Sequence, residues 1–254
     1  MRAIFTARNK VNTTARELVP ALPKYFTGAN PLASGRAARQ FRLMAKSRQH
    51  GETGQGGDPA DLVVDFVGGA MGHRLRQGVG RRQDLPRAIG FGKGLVPRVV
   101  DATAGLGRDA FLLAALGAEV TLIERSPDMH ARLAEGLDRA AAAGGEPAEI
   151  AARMTLIFGD AREILPTLSP EVVLVDPMHP PRKSSALVKQ NLRLVRELVG
   201  TDPDAGELMA VALAHARRRV VLKWPLRGDP LPGLRAPSHQ IFGKTLRFDV
   251  FVLG

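Results

Sequence analysis

Four short runs of the chain carry residues that could do chemistry, and each follows a β-like stretch. The first is Asp101-Ala102-Thr103-Ala104-Gly105-Leu106-Gly107-Arg108-Asp109-Ala110, a glycine turn between a strand and a helix. Glycine tolerates positive φ and lets a ligand approach the backbone, while the following helix presents unpaired N–H groups. Those features suit a nucleotide cofactor held around Asp101, Gly105 and Gly107. The spacing Gly105-x-Gly107-x-x-Ala110 also satisfies the dinucleotide fingerprint, so this run leaves NAD and S-adenosylmethionine both open. Next comes Glu124, seventeen residues after Gly107, where an acid can accept hydrogen bonds from both hydroxyls of a ribose. In the third run, Gly159-Asp160-Ala161, the aspartate can either meet an adenine amino group or cap the next helix.

The fourth run, Asp176-Pro177-Met178-His179-Pro180-Pro181, is the most informative. In a parallel sheet the carboxyl ends of the strands form the ligand crevice, which sets Asp176 beside the cofactor. An amino group awaiting a methyl needs acceptors that fix its two N–H bonds and aim its lone pair at the methyl carbon. Asp176 and the carbonyl of Pro177 could supply that geometry, and the flat ring of His179 could stack on a base.

The elements that must hold these runs are short β-branched stretches alternating with helical ones, the pattern of βαβ units and a parallel sheet. Strands are predicted at Arg98 to Asp101, Glu119 to Glu124, Met154 to Phe158, Val172 to Val175 and Arg219 to Lys223. Ser126 as a cap, Pro127 in the first turn, and Met129, Leu133 and Leu137 at every fourth position define a helix that ends before Gly144-Gly145. A later helix is expected to set Val188, Leu192, Val195 and Val199 on one face. Ser238 to Ile241 and Leu246 to Leu253 read as a closing antiparallel hairpin. Upstream, Leu62 to Val67 reads as a strand closed by Gly68-Gly69 and leading into a positive loop with His73, Arg74, Arg76, Arg81 and Arg82. The run from His50 to Pro59 reads as a linker, dividing a basic N-terminal region (1–59) from an α/β domain (60–254).

Charge points to the partner. Of 254 residues, 36 are Lys or Arg and 25 Asp or Glu, a net charge of +11, and all of that excess falls within the first hundred positions. A concentrated positive field attracts polyanions, and phosphate contacts are what Lys and Arg supply to nucleic acids. Disulfide scaffolds, thiolate metal sites and cysteine nucleophiles are excluded, since the chain has no cysteine. The six histidines show no metal-ligand spacing, so no metal is expected. Gly243-Lys244-Thr245 has the ending of a phosphate loop but lacks its first glycine. With no apolar stretch near the length of a membrane span and no signal-peptide core after Met1, the expected location is the cytoplasm.

Several near-continuous segments resemble the ribosomal RNA small subunit methyltransferase J family. They are Asp65 to Arg74, Asp101 to Phe111, Leu122 to Arg125, Asp176 to Met178, Ser185 to Lys189, and Arg247 to Asp249. The resemblance implies a class I methyltransferase fold with a seven-stranded, mostly parallel sheet. It also implies S-adenosylmethionine as methyl donor, with S-adenosylhomocysteine as product, and the exocyclic N2 of a guanine in 16S rRNA of the small ribosomal subunit as acceptor. By position it implies cofactor contacts at Arg108, Asp109, Glu124, Arg125, Asp160, Ala161 and Asp176. The chain departs from the family at His179, where phenylalanine is usual. Arg74, Arg76, Arg81, Arg82, Arg182 and Lys183 are the candidates for holding RNA phosphates. An oxidoreductase using NAD, an RNA-binding protein without catalysis, and a methyltransferase for adenine or cytosine amines are the rival readings.

Overall fold

A computed structural model describes residues 25–26, 62–78, 80–92, 94–178 and 202–254. The alternation read in the sequence builds one sheet. Its strands are β1 (Tyr25–Phe26), β2 (Val99–Asp101), β3 (Val120–Glu124), β4 (Met154–Phe158), β5 (Val172–Val175), β6 (Arg219–Pro225), β7 (His239–Phe242) and β8 (Leu246–Val252). They lie in the order β1-β4-β3-β2-β5-β6-β8-β7. Pairing is parallel from β1 to β6, and the closing β7–β8 hairpin is antiparallel, as expected. Seven of these strands are the predicted ones; the two-residue β1, parallel to Leu156 and Ile157 of β4, is an addition.

Each central strand is apolar on both faces, as a sheet covered on two sides requires. In β5, Val172 and Leu174 pack toward one side with Phe66, Phe111 and Leu133, while Val173 and Val175 join Leu165, Met209 and Phe251 on the other. The helices among the described residues are α1 (Gly69–Arg76), α2 (Asp84–Ile89), α3 (Arg108–Ala115), α4 (Pro127–Ala143), α5 (Gly145–Ala151), α6 (Ala161–Leu168) and α7 (Ala205–His215). Ser126 caps α4 as predicted, its hydroxyl accepting from the N–H of Met129 at 3.4 Å.

The structure departs from the sequence expectation at two places. Leu62 to Val67 is not a strand. Its alternation is real, with Leu62, Val64 and Phe66 buried and Val63 and Val67 exposed, but no strand among the described residues pairs with it. The segment instead lies across α4, where the guanidinium of Arg132 donates to the carbonyl of Leu62 and that of Arg139 to the carbonyl of Val64, each at 2.7 Å. Gly136 makes this approach possible, because a Cβ there would stand 2.7 Å from Cγ1 of Val64. Nor do His73, Arg74 and Arg76 lie in a loop. Asp65 turns the chain by accepting from the N–H groups of Val67 and Gly68, both at 2.9 Å, and these basic residues fall on α1. The helix predicted around Val188 to Val199 lies outside the described residues.

Candidate active site

The strand order changes direction at β2, with β3 and β4 on one side and β5 and β6 on the other. Such a switch point opens a crevice beyond the carboxyl ends of the strands. The glycine turn sits there. Gly105 (φ +51°) and Gly107 (φ +65°) are both in the left-handed region, but they do different things. A Cβ on Gly107 would meet Cδ1 of Leu133 at 2.7 Å, so this glycine lets α3 start against the core beneath the stacked rings of Phe66 and Phe111. A Cβ on Gly105 would meet only the carbonyl of Thr103 at 3.8 Å, so this glycine faces the cleft.

Glu124 ends β3 almost wholly buried, at 5% exposure. Its Oε2 accepts from the N–H of Gly105 at 2.9 Å and its Oε1 from that of Ser126 at 2.8 Å, tying the glycine turn to the tip of β3. Burial raises its carboxyl above the ordinary range, against the pull of those two amides. Asp160 is the cap of α6, accepting from the N–H of Arg162 at 2.8 Å, and it also faces the cleft. The Arg162 guanidinium holds the Asp160 carboxyl below its usual value. Arg125 is ion-paired to Asp202, and to Asp204 at 2.6 Å.

Asp176 follows β5. Its N–H donates to the hydroxyl of Thr103 at 2.7 Å, and its Oδ2 lies 2.7 Å from Nζ of Lys223. Lys223 reaches Oδ2 of Asp109, in the first turn of α3, at the same distance. Burial works against the Lys223 ammonium, but Asp176 and Asp109 outweigh it and hold the group charged well above the ordinary lysine range. For Asp176 burial raises the carboxyl and Lys223 opposes it. Beneath them Asp101 is 3% exposed; burial pushes it up to about 7, opposed by the N–H of Thr103 and reinforced by Asp109 and Asp176.

Of the residues predicted to surround a cofactor, the cleft brings together Gly105, Glu124, Arg125, Asp160, Ala161 and Asp176. Asp101 lies below it, Gly107 is turned into the core, Arg108 is exposed, and Asp109 faces a second cleft across the Lys223 bridge. Pro177 is buried at the strand end. Among the predicted phosphate contacts, Arg74 lines the second cleft and Arg82 is exposed. Arg81 lies over the ring of Phe91 and donates to the carbonyl of Leu116 at 3.3 Å. His179, Arg182, Lys183 and the side chain of Arg76 lie outside the described residues.

Sequence reasoning missed Lys223, Asp202 and Asp204. The signal for Lys223 was present, because parallel strands in register put the residue after Leu222 beside the residue after Val175. No pattern marks Asp202, whose carboxylate accepts from the N–H of Met178 at 2.6 Å and whose own N–H donates to the carbonyl of Met178 at 3.2 Å.

The cleft suits a cationic ligand. Glu124, Asp160, Asp176, Asp202 and Asp204 line it, and its two arginines, Arg125 and Arg162, are both ion-paired. A sulfonium and an ammonium group, as S-adenosylmethionine carries, fit that sign of charge.

The SAM-dependent methyltransferase family model matches residues 34–253. Ribosomal RNA small subunit methyltransferase J of Agrobacterium fabrum is 70% identical over 192 residues, covering 76% of this chain and 92% of that protein. The protein of the same name from Thioalkalivibrio sulfidiphilus is 52% identical over 200 residues, covering 77% and 78%. A crystal structure of a SAM-dependent methyltransferase from Neisseria gonorrhoeae superposes with a TM-score of 0.60 at 36% identity, covering 81% of this chain and 77% of that one. With its glycine turn, its strand-tip acids and these relatives, the chain belongs to the S-adenosylmethionine-dependent methyltransferases of the ribosomal RNA small subunit methyltransferase J family.

Proposed function

We propose that this enzyme methylates the exocyclic N2 amino group of a guanosine in 16S rRNA, in the cytoplasm, on the small ribosomal subunit or its RNA. The observation that carries the reading is Asp176, which lines the cofactor cleft at the tip of β5 with one carboxylate oxygen fixed by Lys223. That leaves Oδ1 to accept from an amine N–H. The names of the relatives supply the class of substrate, and the family supplies guanine N2.

S-adenosylmethionine, when bound, supplies an activated methyl group on a sulfonium and leaves as S-adenosylhomocysteine. Glu124 and Asp160 are the acceptors for its ribose hydroxyls and adenine amine, with Gly105 and Ala161 leaving room for them and Arg125 closing the side. No metal enters this reading. Asp176 and the carbonyl of Pro177 orient the acceptor amine so that its lone pair forms the new N–C bond while the S–C bond breaks. The amine proton leaves to Asp176 or to solvent. Orientation and fixed charge do the catalytic work, with no covalent enzyme intermediate. NAD fits less well, because a pyrophosphate would meet an acidic cleft.

In this reading residues 60–254 form the catalytic unit and the basic residues 1–59 serve RNA binding. The test is methyl transfer from labelled S-adenosylmethionine to small subunits and to naked 16S rRNA that both lack the modification, with the product nucleoside identified by mass. N2-methylguanosine at one site is the expected product. Another methylated nucleoside would overturn the acceptor, and no transfer to either RNA would overturn the function.

A further inference from the structure

Lys223 stands in the wall between two clefts. On one side Asp176 faces the cofactor cleft; on the other Lys223 and Asp109 face a cleft of about 470 Å³ that the cofactor reading leaves unused. This second cleft lies between α1, the start of α2 and the turn joining β7 to β8. Its volume falls within the range of ~300–1,000 Å³ usual for ligand sites, so a nucleotide has room in it.

Its charged lining is asymmetric. Asp109 is ion-paired at 2.7 Å with Lys223, a cation it shares with Asp176, and Asp84 lies 3.4 Å from Arg87. Arg74 on α1 and Lys244 in the hairpin turn are exposed and make no ion pair with any described residue. These two cations, from elements far apart in sequence, line one cleft together with Lys223, whose ammonium binds Asp176. Gly243-Lys244-Thr245, which lacks the first glycine of a phosphate loop, thereby gains a different use: a tight turn that presents a lysine and a hydroxyl at the cleft mouth.

We propose that this cleft receives the acceptor strand of the RNA, with Arg74 and Lys244 on backbone phosphates flanking the target nucleotide. That sets the target nucleotide on the Lys223 side of Asp176, across from the methyl-donor cleft, as in-line transfer requires. The inference rests on the proposed rRNA reading for the identity of the acceptor, but its binding test does not need turnover.

The test uses the full chain and Arg74→Glu, Lys244→Glu and the milder Lys244→Gln. S-adenosylmethionine affinity by calorimetry and thermal melting report whether the cofactor cleft and the fold survive, and both are expected to stay unchanged. Affinity for a single-stranded RNA spanning the methylation site is measured across a salt series. Each charge reversal is expected to weaken RNA binding roughly tenfold and to flatten the salt slope by about 0.7 to 0.9 per lost phosphate contact. Lys244→Gln should fall between wild type and Lys244→Glu. Unchanged RNA affinity and slope in variants that still bind S-adenosylmethionine would overturn the inference. Altered RNA binding alongside a wild type that transfers no methyl to rRNA would sustain the cleft and sink the rRNA reading instead.

Discussion

Asp176 and Lys223 share a contact of 2.7 Å, the only one between a carboxylate of the switch-point cleft and a cation of the second cleft among the described residues. It fixes one oxygen of Asp176 and, in the proposed reaction, leaves the other for the acceptor amine. The Thr103 hydroxyl holds the backbone of Asp176 at 2.7 Å, so this acid is anchored at both ends.

Asp176→Ala should therefore lose turnover while retaining S-adenosylmethionine binding. A loss of roughly a hundredfold or more matches the scale of positioned acid–base groups. Single-turnover methyl transfer read beside cofactor calorimetry checks it; unchanged turnover would remove Asp176 from the reaction.

Lys223→Met separates positioning from charge. Without the ammonium, the burial that already raises the Asp176 carboxyl goes unopposed, and ionised Asp176 persists only at higher pH. The acidic limb of the kcat profile should move to higher pH, with kcat lowered roughly tenfold or more. A uniform loss at every pH would indicate a structural role alone.

Asp101 gives a stability prediction whose sign follows from its raised pKa. In the folded protein its carboxyl is pushed up to about 7 from 3.8, so the native state holds a proton that the unfolded chain has released. Its contribution is fully present below pH 3.8 and is lost as pH rises through about 7. Asp101→Asn, which mimics the protonated form and can still accept from the N–H of Thr103, should melt at a higher temperature than wild type at pH 8. The difference should shrink toward pH 4. A constant difference would mean that Asp101 is not the titrating group.

Arg247 and Asp249 form a buried pair at 3.0 Å, with the same guanidinium donating to the carbonyls of Pro225, Leu226 and Gly228. This joins the hairpin to the chain leaving β6, two residues beyond Lys223. Arg247→Met strands a buried carboxylate and should cost about 3–5 kcal/mol, measured by denaturant unfolding. Gln240 also donates to Asp249, at 2.6 Å, so Arg247→Met combined with Asp249→Asn should recover part of the loss.

Much of this was legible in the sequence because period and chemistry coincide. Met154 to Phe158 and Val172 to Val175 are strands with the predicted ends, and Ser126 caps where it should. Leu62 to Val67 misled for a physical reason: alternation reports which side chains are buried, not what receives the backbone carbonyls, and here the receivers are two arginines. Asp160 serves as a cap and also faces the cleft, so the two uses foreseen for it are compatible. The signal for Lys223 lay in strand register rather than in a local motif, because register brings it to Asp176 across 47 positions. Asp202 and Asp204 were hidden because their partner Arg125 lies 77 and 79 positions away.

The clasp of Arg132 and Arg139 on Leu62 and Val64 sets an order in time. The guanidiniums lie 70 and 75 positions after the carbonyls they bind. At roughly 5–20 residues per second of synthesis, the early segment waits about 4 to 15 seconds for its helix to emerge. Through that interval Leu62, Val64 and Phe66 have no α4 to cover them, and Phe111, the ring on which Phe66 stacks, also arrives late. This apolar segment is thus made well before the helix that covers it, and the nascent chain exposes it to wrong associations until α4 leaves the ribosome.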